Sequence, residues 1–408
     1  MSYAICWKCV DDEYLKQHIR DNGGLFECSV CGNAYENAIS VADLGILLEP
    51  RIRENFSLGE EIKVFHGEED DNGSWEQEGE PLSWAVQEVL GQYFDFEDEI
   101  VQAVIDAEDV WPPDGDVPFF DDTSNYVESR VALSHYYAEW EALLEELKHK
   151  RRFFSPSAHT LFGKLFGGVE EMKARPPRTT EAVSVVRNFP EGSELFRARI
   201  CNSQDVLVDV FSDPLKHAGP PPESQARTGR MNADGVVVFY GAEDLETCLA
   251  EMRPVIGNDL AVIRLRTTKP LRLLDFSLLE YAYAGTPLSY FQPDFTDEVE
   301  KRAFRRRLHR LISQPIIPGK ETEYLITQTM AEYLAHVHKE PFDGVLFASA
   351  QRADGKNVVL FSDPAMITDQ PSEAFGLAYC EDSLQIFTTT SISYSHHKRD
   401  AYGMPHHL

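Results

Sequence analysis

In the second half of the chain, apolar positions fall in short runs of strand length with turn residues between them. Residues 236–240 (VVVFY) are β-branched and aromatic, the pattern of a buried strand, and Gly241 is expected to end it. Glu243 or Asp244 then opens a helix on which Leu245, Cys248, Leu249 and Met252 repeat at i, i+3, i+4 and i+7. Glu251 falls beside that apolar stripe, roughly 100° or more from its centre. A carboxylate there can border a cleft while its helix is anchored in a core. Residues 194–200 (ELFRARI), 259–267 (DLAVIRLRT), 271–277, 344–349 and 357–362 read as further strands, and 296–312 and 325–336 as helices. The alternation predicts an α+β domain over residues 191–368.

The first half has a helical period. Residues 82–94 and 98–109 suit helices, set among acidic loops at 65–80 and 111–122. Residues 124–150 form the clearest helix, with Leu133, Tyr136, Tyr137, Trp140, Leu143, Leu144 and Leu147 on one stripe. Residues 153–168 suit a second, shorter one. Pro176, Pro177 and Pro190 make 169–190 a connecting arm. The expected layout is a knuckle module at 1–35, a mostly helical domain at 36–168, the arm, the α+β domain, and a C-terminal extension at 369–408 in which order weakens. His396, His397, His406 and His407 lie in that tail.

Composition narrows the function. With 43% hydrophobic residues among 408, the chain supports real cores. A net charge of −30 repels phosphate backbones, which disfavours broad nucleic-acid binding. No apolar run reaches the roughly 18 residues that span a bilayer, and the first residues lack a signal-peptide pattern, so a cytoplasmic protein without a membrane anchor is expected. Cys6-x2-Cys9 and Cys28-x2-Cys31 have the spacing of two knuckles around one tetrahedral Zn²⁺. Four thiolates close the coordination sphere, so such a zinc is structural.

Several pieces stand in a fixed order toward the C-terminus. They are Leu195-Phe196-Arg197, Gly229-Arg230-Met231-Asn232, Tyr240, Glu251, Tyr324-x2-Thr327-Gln328, and residues 342–349 (FDGVLFAS) running on to Asn357. This order resembles the RES family, named for its Arg, Glu and Ser. The resemblance covers residues 190–365 and implies a fold like that of ADP-ribosyltransferases, NAD⁺ as substrate, and service as the toxin of a toxin–antitoxin pair. It implies Glu251, Arg197 and Ser349 as catalytic residues, and Arg197, Arg230, Tyr240, Asn232 and Ser349 as NAD⁺ contacts. The residue types suit that chemistry. A carboxylate stabilises an oxocarbenium-like ribose, guanidinium groups match a diphosphate, and a tyrosine ring can stack on a flat base. Arg199 competes with Arg197 for its role. Met231 stands where the family usually has Trp and is expected in the pocket wall, and the Pro-rich loop at 219–222 is expected to gate the site.

The activity expected is cleavage of the nicotinamide–ribose bond by hydrolysis or phosphorolysis, with ADP-ribosyl transfer to a protein or nucleic acid as the alternative. Expected partners are NAD⁺, an antitoxin or regulatory protein, and a second copy of the chain. The region before the domain resembles the N-terminal domain found ahead of some RES and HEPN modules. Arg130-x4-His135 has the form of the HEPN ribonuclease pair, which keeps an RNA-directed module as a further alternative. The basic run at 301–310 reads as a solvated face or a docking surface.

Overall fold

The computed structural model describes residues 3–64, 73–109, 118–129, 134–177, 179–283, 288–313, 321–363 and 371–392. Arg130 and the four tail histidines lie outside these. The chain forms two compact units, Met1–Ala132 with Thr286–Glu300, and Leu133–Gly285 with Lys301–Leu408. Helices and sheets occur in both, in an α+β arrangement.

In the first unit, the strand Ala34–Ser40 lies between Ala4–Cys6 and Gly24–Glu27, antiparallel to both. In sequence, helix Glu13–Asn22 lies between Ala4–Cys6 and Gly24–Glu27, and helix Val41–Asn55 follows Ala34–Ser40. Each has a side-chain cap, Asp12 accepting from Leu15 N–H and Ser40 from Asp43 N–H. Ile5, Leu15 and Ile19 share one core with Leu48, Ile52, Val86 and Val104. Residues 1–35 are therefore built into a larger core and do not form a separate knob. The region expected to be mostly helical also carries strands. Asn125–Glu128 pairs with Phe56–Leu58 and Glu80–Pro81, so the predicted 124–150 helix spans only Ser134–His149 among the described residues. Tyr126 is buried at that strand and donates to the Phe119 carbonyl at 2.8 Å, which gives the segment a reason to be extended.

The second unit is organised on one sheet. Its strands run in the order Val186–Phe189, Leu271–Asp275, Gly344–Ala348, Lys356–Phe361, Val238–Ala242, Glu194–Cys201, Asp259–Thr267 and Leu377–Tyr379, with Gln385–Thr388 also paired to Asp259–Thr267. Leu271–Asp275 and Gly344–Ala348 are parallel, and the other pairings are antiparallel. Val186–Phe189 comes from the expected arm, and the last two strands from the expected tail. Both segments are part of the sheet because their apolar residues Phe189, Phe375 and Leu377 fill its core.

Helices Ser134–His149 and Pro156–Phe166 pack within this unit. Trp140, Phe162 and Phe166 share a core with Phe276, Phe304 and Val345. The helix Phe295–Ser313 carries the basic run, and it is more than a solvated face. Phe304 is fully buried, and Arg305, 6% exposed, donates to the carbonyls of Leu165 at 2.5 Å and Gly167 at 2.8 Å. A guanidinium thereby caps the C-terminus of Pro156–Phe166, whose last carbonyls lack helical partners.

Candidate active site

The sheet is least closed where Glu194–Cys201 meets Val238–Ala242, since the two strands share one paired position, Phe196 with Ala242. The strand Val238–Ala242 starts two residues later than the sequence pattern suggests and runs through Gly241. No side chain fits at 241, because a Cβ there would lie 2.6 Å from the Phe239 ring and 2.8 Å from the Phe196 carbonyl oxygen. Beside this opening lies a cavity of about 360 Å³. Arg197, Arg230, Tyr240, Glu251, Phe347 and Asn357 are among the residues that line it.

Each side chain is placed by a local device. Glu251 is the last residue of the helix Leu245–Glu251, which starts at Asp244, whose carboxylate accepts from Thr247 N–H at 2.9 Å. Its Oε1 accepts from the Ser349 hydroxyl and from Asn357 Nδ2 at 2.9 Å. The Ser349 oxygen in turn accepts from the N–H groups of Gln351 at 3.1 Å and Arg352 at 3.2 Å. Both of Glu251's bonds fall on one oxygen, and Oε2 takes part in neither. Arg352 donates to Asp244 and, at 2.9 Å, to the Thr247 hydroxyl, tying the loop after Ser349 to the start of the Glu251 helix.

Arg197 donates through Nη1 to the Tyr240 carbonyl at 2.6 Å, a group exposed by the parting of the two strands, while its buried Nε has no hydrogen-bond partner. Burial pulls this guanidinium down to about 10. Holding it charged is costly, and an anion bound in the cavity would offset that cost. Arg230 donates to the Ile312 carbonyl near the end of Phe295–Ser313 and lies 5.7 Å from the Phe347 ring centroid. Burial lowers its pKa as well. Arg199 donates to the His217 carbonyl and does not line the cavity.

The loop that carries Arg230 is held as a tight turn. Gly229 and Asn232 form an isolated bridge, and a Cβ on Gly229 would lie 2.5 Å from Asn232 Oδ1. Asn232 Oδ1 accepts from the Tyr240 hydroxyl at 2.9 Å, and its Nδ2 donates to the carbonyls of Arg227 and Val236, each at 2.9 Å. Met231 N–H donates to the Tyr240 hydroxyl at 3.0 Å. Gln328 Nε2 reaches the carbonyls of Gly229 at 2.8 Å and Asn232 at 2.9 Å, and Thr327 donates to the Arg230 carbonyl at 2.5 Å. The Thr-Gln pair therefore clamps the arginine loop. Asn232, expected as an NAD⁺ contact, is 5% exposed and outside the cavity lining, with its amide engaged in the loop. Met231 is buried in the core and not in the pocket wall. No residue of 219–222 lines the cavity.

Residues 194–378 match the family model of the RES domain. The chain carries a RES domain. No curated protein and no solved structure matches the chain. At a coarse level, a RES domain implies an enzyme that acts on NAD⁺, with toxin activity in general. Among the lining residues that the sequence pattern missed are Cys248, Phe347 and Arg253. Cys248 looked like core by its helical spacing. Burial raises its thiol to about 12, so it is a neutral wall and not a nucleophile.

In the first unit, the sulfurs of Cys6, Cys9, Cys28 and Cys31 all lie within 4.8 Å of one another and could hold a metal ion. Cys6 and Cys31 are 3.9 Å apart, close to the roughly 3.8 Å edge of a tetrahedron with metal–sulfur bonds of about 2.3 Å. Cys6 N–H donates to Cys28 Sγ at 3.3 Å, as a thiolate ligand would accept. His135 sits on Ser134–His149, 3.5 Å from Glu139.

Proposed function

We propose that the RES domain cleaves the nicotinamide–ribose bond of NAD⁺, giving nicotinamide and ADP-ribose when water is the acceptor, or ADP-ribose 1″-phosphate when phosphate is. The observation that carries this reading is Glu251 held by Ser349 and Asn357 in a cavity that also contains two partly desolvated arginines. As the glycosidic bond lengthens, positive charge develops on the ribose, and the Glu251 carboxylate stabilises it. Arg197 and Arg230 take the diphosphate, and Tyr240 offers the face of its ring. Ser349 serves as a positioning residue. Its proton goes to Glu251 and its oxygen already accepts two N–H groups, so it is not set up to attack. A structural Zn²⁺ on the four cysteines completes the first unit. No feature of the cavity favours a macromolecular acceptor over a small one.

The test is incubation of purified protein with NAD⁺, with and without phosphate, following nicotinamide release and the fate of the ADP-ribose. Nicotinamide release is expected. Acceleration by phosphate marks a phosphorylase, and label retained on protein marks a transferase. Absence of release under all these conditions sinks the proposal.

A further inference from the structure

Just past the Glu251 helix stands a residue with no part in the chemistry above. Arg253 lines the same cavity and is itself exposed, which places it at the rim. Its backbone lies in the left-handed region with φ +46°, a conformation that is strained for a side chain other than glycine. The turn is closed by Arg253 N–H donating to the Ala250 carbonyl at 3.1 Å. Strain of this kind clusters where function needs a particular side chain.

Size and charge indicate what that side chain does. A cavity of about 360 Å³ is near the lower end of the roughly 300–1,000 Å³ that holds one drug-sized molecule. A dinucleotide exceeds that, so with its nicotinamide riboside at Glu251 its adenosine half has to cross the rim. The lining brings three guanidinium groups, Arg197, Arg230 and Arg253, against the single carboxylate of Glu251. That is a surplus of two positive charges, matching the two negative charges of a diphosphate. Arg197 and Arg230 are anchored to backbone carbonyls further in, which leaves the outer phosphate to the rim.

We propose that Arg253 is a specificity-determining residue that grips the adenosine-side phosphate of NAD⁺ at the cavity rim and favours the dinucleotide over a mononucleotide. This rests on the reading of the cavity as an NAD⁺ site. The experiment uses the full chain with Arg253→Gly, which accepts the left-handed backbone without strain, and Arg253→Lys, which keeps the charge but loses the fork. Calorimetry measures the affinity for ADP and for nicotinamide mononucleotide, and kinetics measures NAD⁺ turnover. Arg253→Gly is expected to weaken ADP binding and raise KM for NAD⁺ by about ten- to a hundredfold, the effect of losing a hydrogen bond to a charged group. Its kcat should stay near parental, its affinity for nicotinamide mononucleotide should be unchanged, and Arg253→Lys should recover part of the loss. Parental ADP affinity and KM in Arg253→Gly overturn the assignment, as does an equal loss for the mononucleotide. Should the parent protein neither bind ADP nor release nicotinamide, the underlying reading fails and takes this one with it. A parent that does both, beside an unaltered Arg253→Gly, counts against Arg253 alone.

Discussion

At the scale of single residues, the site depends on how few atoms remain available once its supports are in place. Glu251 presents one carboxylate oxygen outside its bonds to Ser349 and Asn357. Glu251→Gln keeps the shape and removes the charge, so kcat should fall on the order of 10²–10³, about 3–4 kcal/mol, with NAD⁺ affinity nearly unchanged. Parental turnover by that variant would return Glu251 to the many helical glutamates that only face solvent. Tyr240 is tested through pH. Burial raises its phenol to about 12 from an ordinary 10. The folded state thus favours the protonated form, whose contribution is complete below pH 10 and is lost as pH rises toward about 12. Tyrosinate absorbance together with a stability profile across that window should show the loop loosening. In Tyr240→Phe, which leaves Asn232 Oδ1 and Met231 N–H without their shared partner, the alkaline effect should be smaller and stability lower by about 1–3 kcal/mol at neutral pH.

At the scale of elements, the positions of the helices are set by buried contacts that local pattern does not reveal. Phe304 is fully buried with the Tyr136 ring 5.7 Å away, the Tyr137 ring 5.2 Å and the Trp140 ring 5.9 Å. Phe304→Ala should lower stability by about 3–5 kcal/mol, read from a denaturant midpoint. The strand Asp259–Thr267 and the helix start at Asp244 were legible in the sequence because their period and cap are local signals. The Arg197, Arg230, Tyr240, Glu251 and Asn357 grouping was legible through motif order, and the cavity holds all five. Arg253 was not legible, since a positive φ leaves no mark on residue type when the residue is not glycine. Nor were the strands at 186–189 and 377–388, which are edge or near-edge strands specified by the sheet they join. The buried roles of Met231 and Arg305 depend on contacts from residues far along the chain, and a period read over ten or twenty residues cannot register them.

At the scale of the whole molecule, the division at Ala132 and Leu133 decides where the chain can be cut. A chain starting at Arg175 keeps every residue proposed for the NAD⁺ site but loses Trp140, Phe162 and Phe166 from the second unit's core. It should be unstable or aggregate, whereas one starting at Ser134 should retain a cooperative unfolding transition and bind ADP. Comparable thermal melts for the two would show that these helices are dispensable. In the first unit, four cysteine sulfurs lie within 4.8 Å of one another, and four thiolates that close repel strongly unless a cation sits between them. Metal analysis should return about one zinc per chain, and chelation should unfold the first unit. Protein that is free of zinc yet gives an unchanged melt contradicts this. The bonds of Glu251 also impose an order in time. Its partners Ser349 and Asn357 lie 98 and 106 residues downstream. A chain leaving the ribosome therefore carries a carboxylate with neither donor until Ser349 has been added and without the second until Asn357, and the edge strand Gln385–Thr388 emerges later still. The cell that makes this protein meets an assembled site only after Asn357 has been made, and fragments that stop short of Ser349 never contain one.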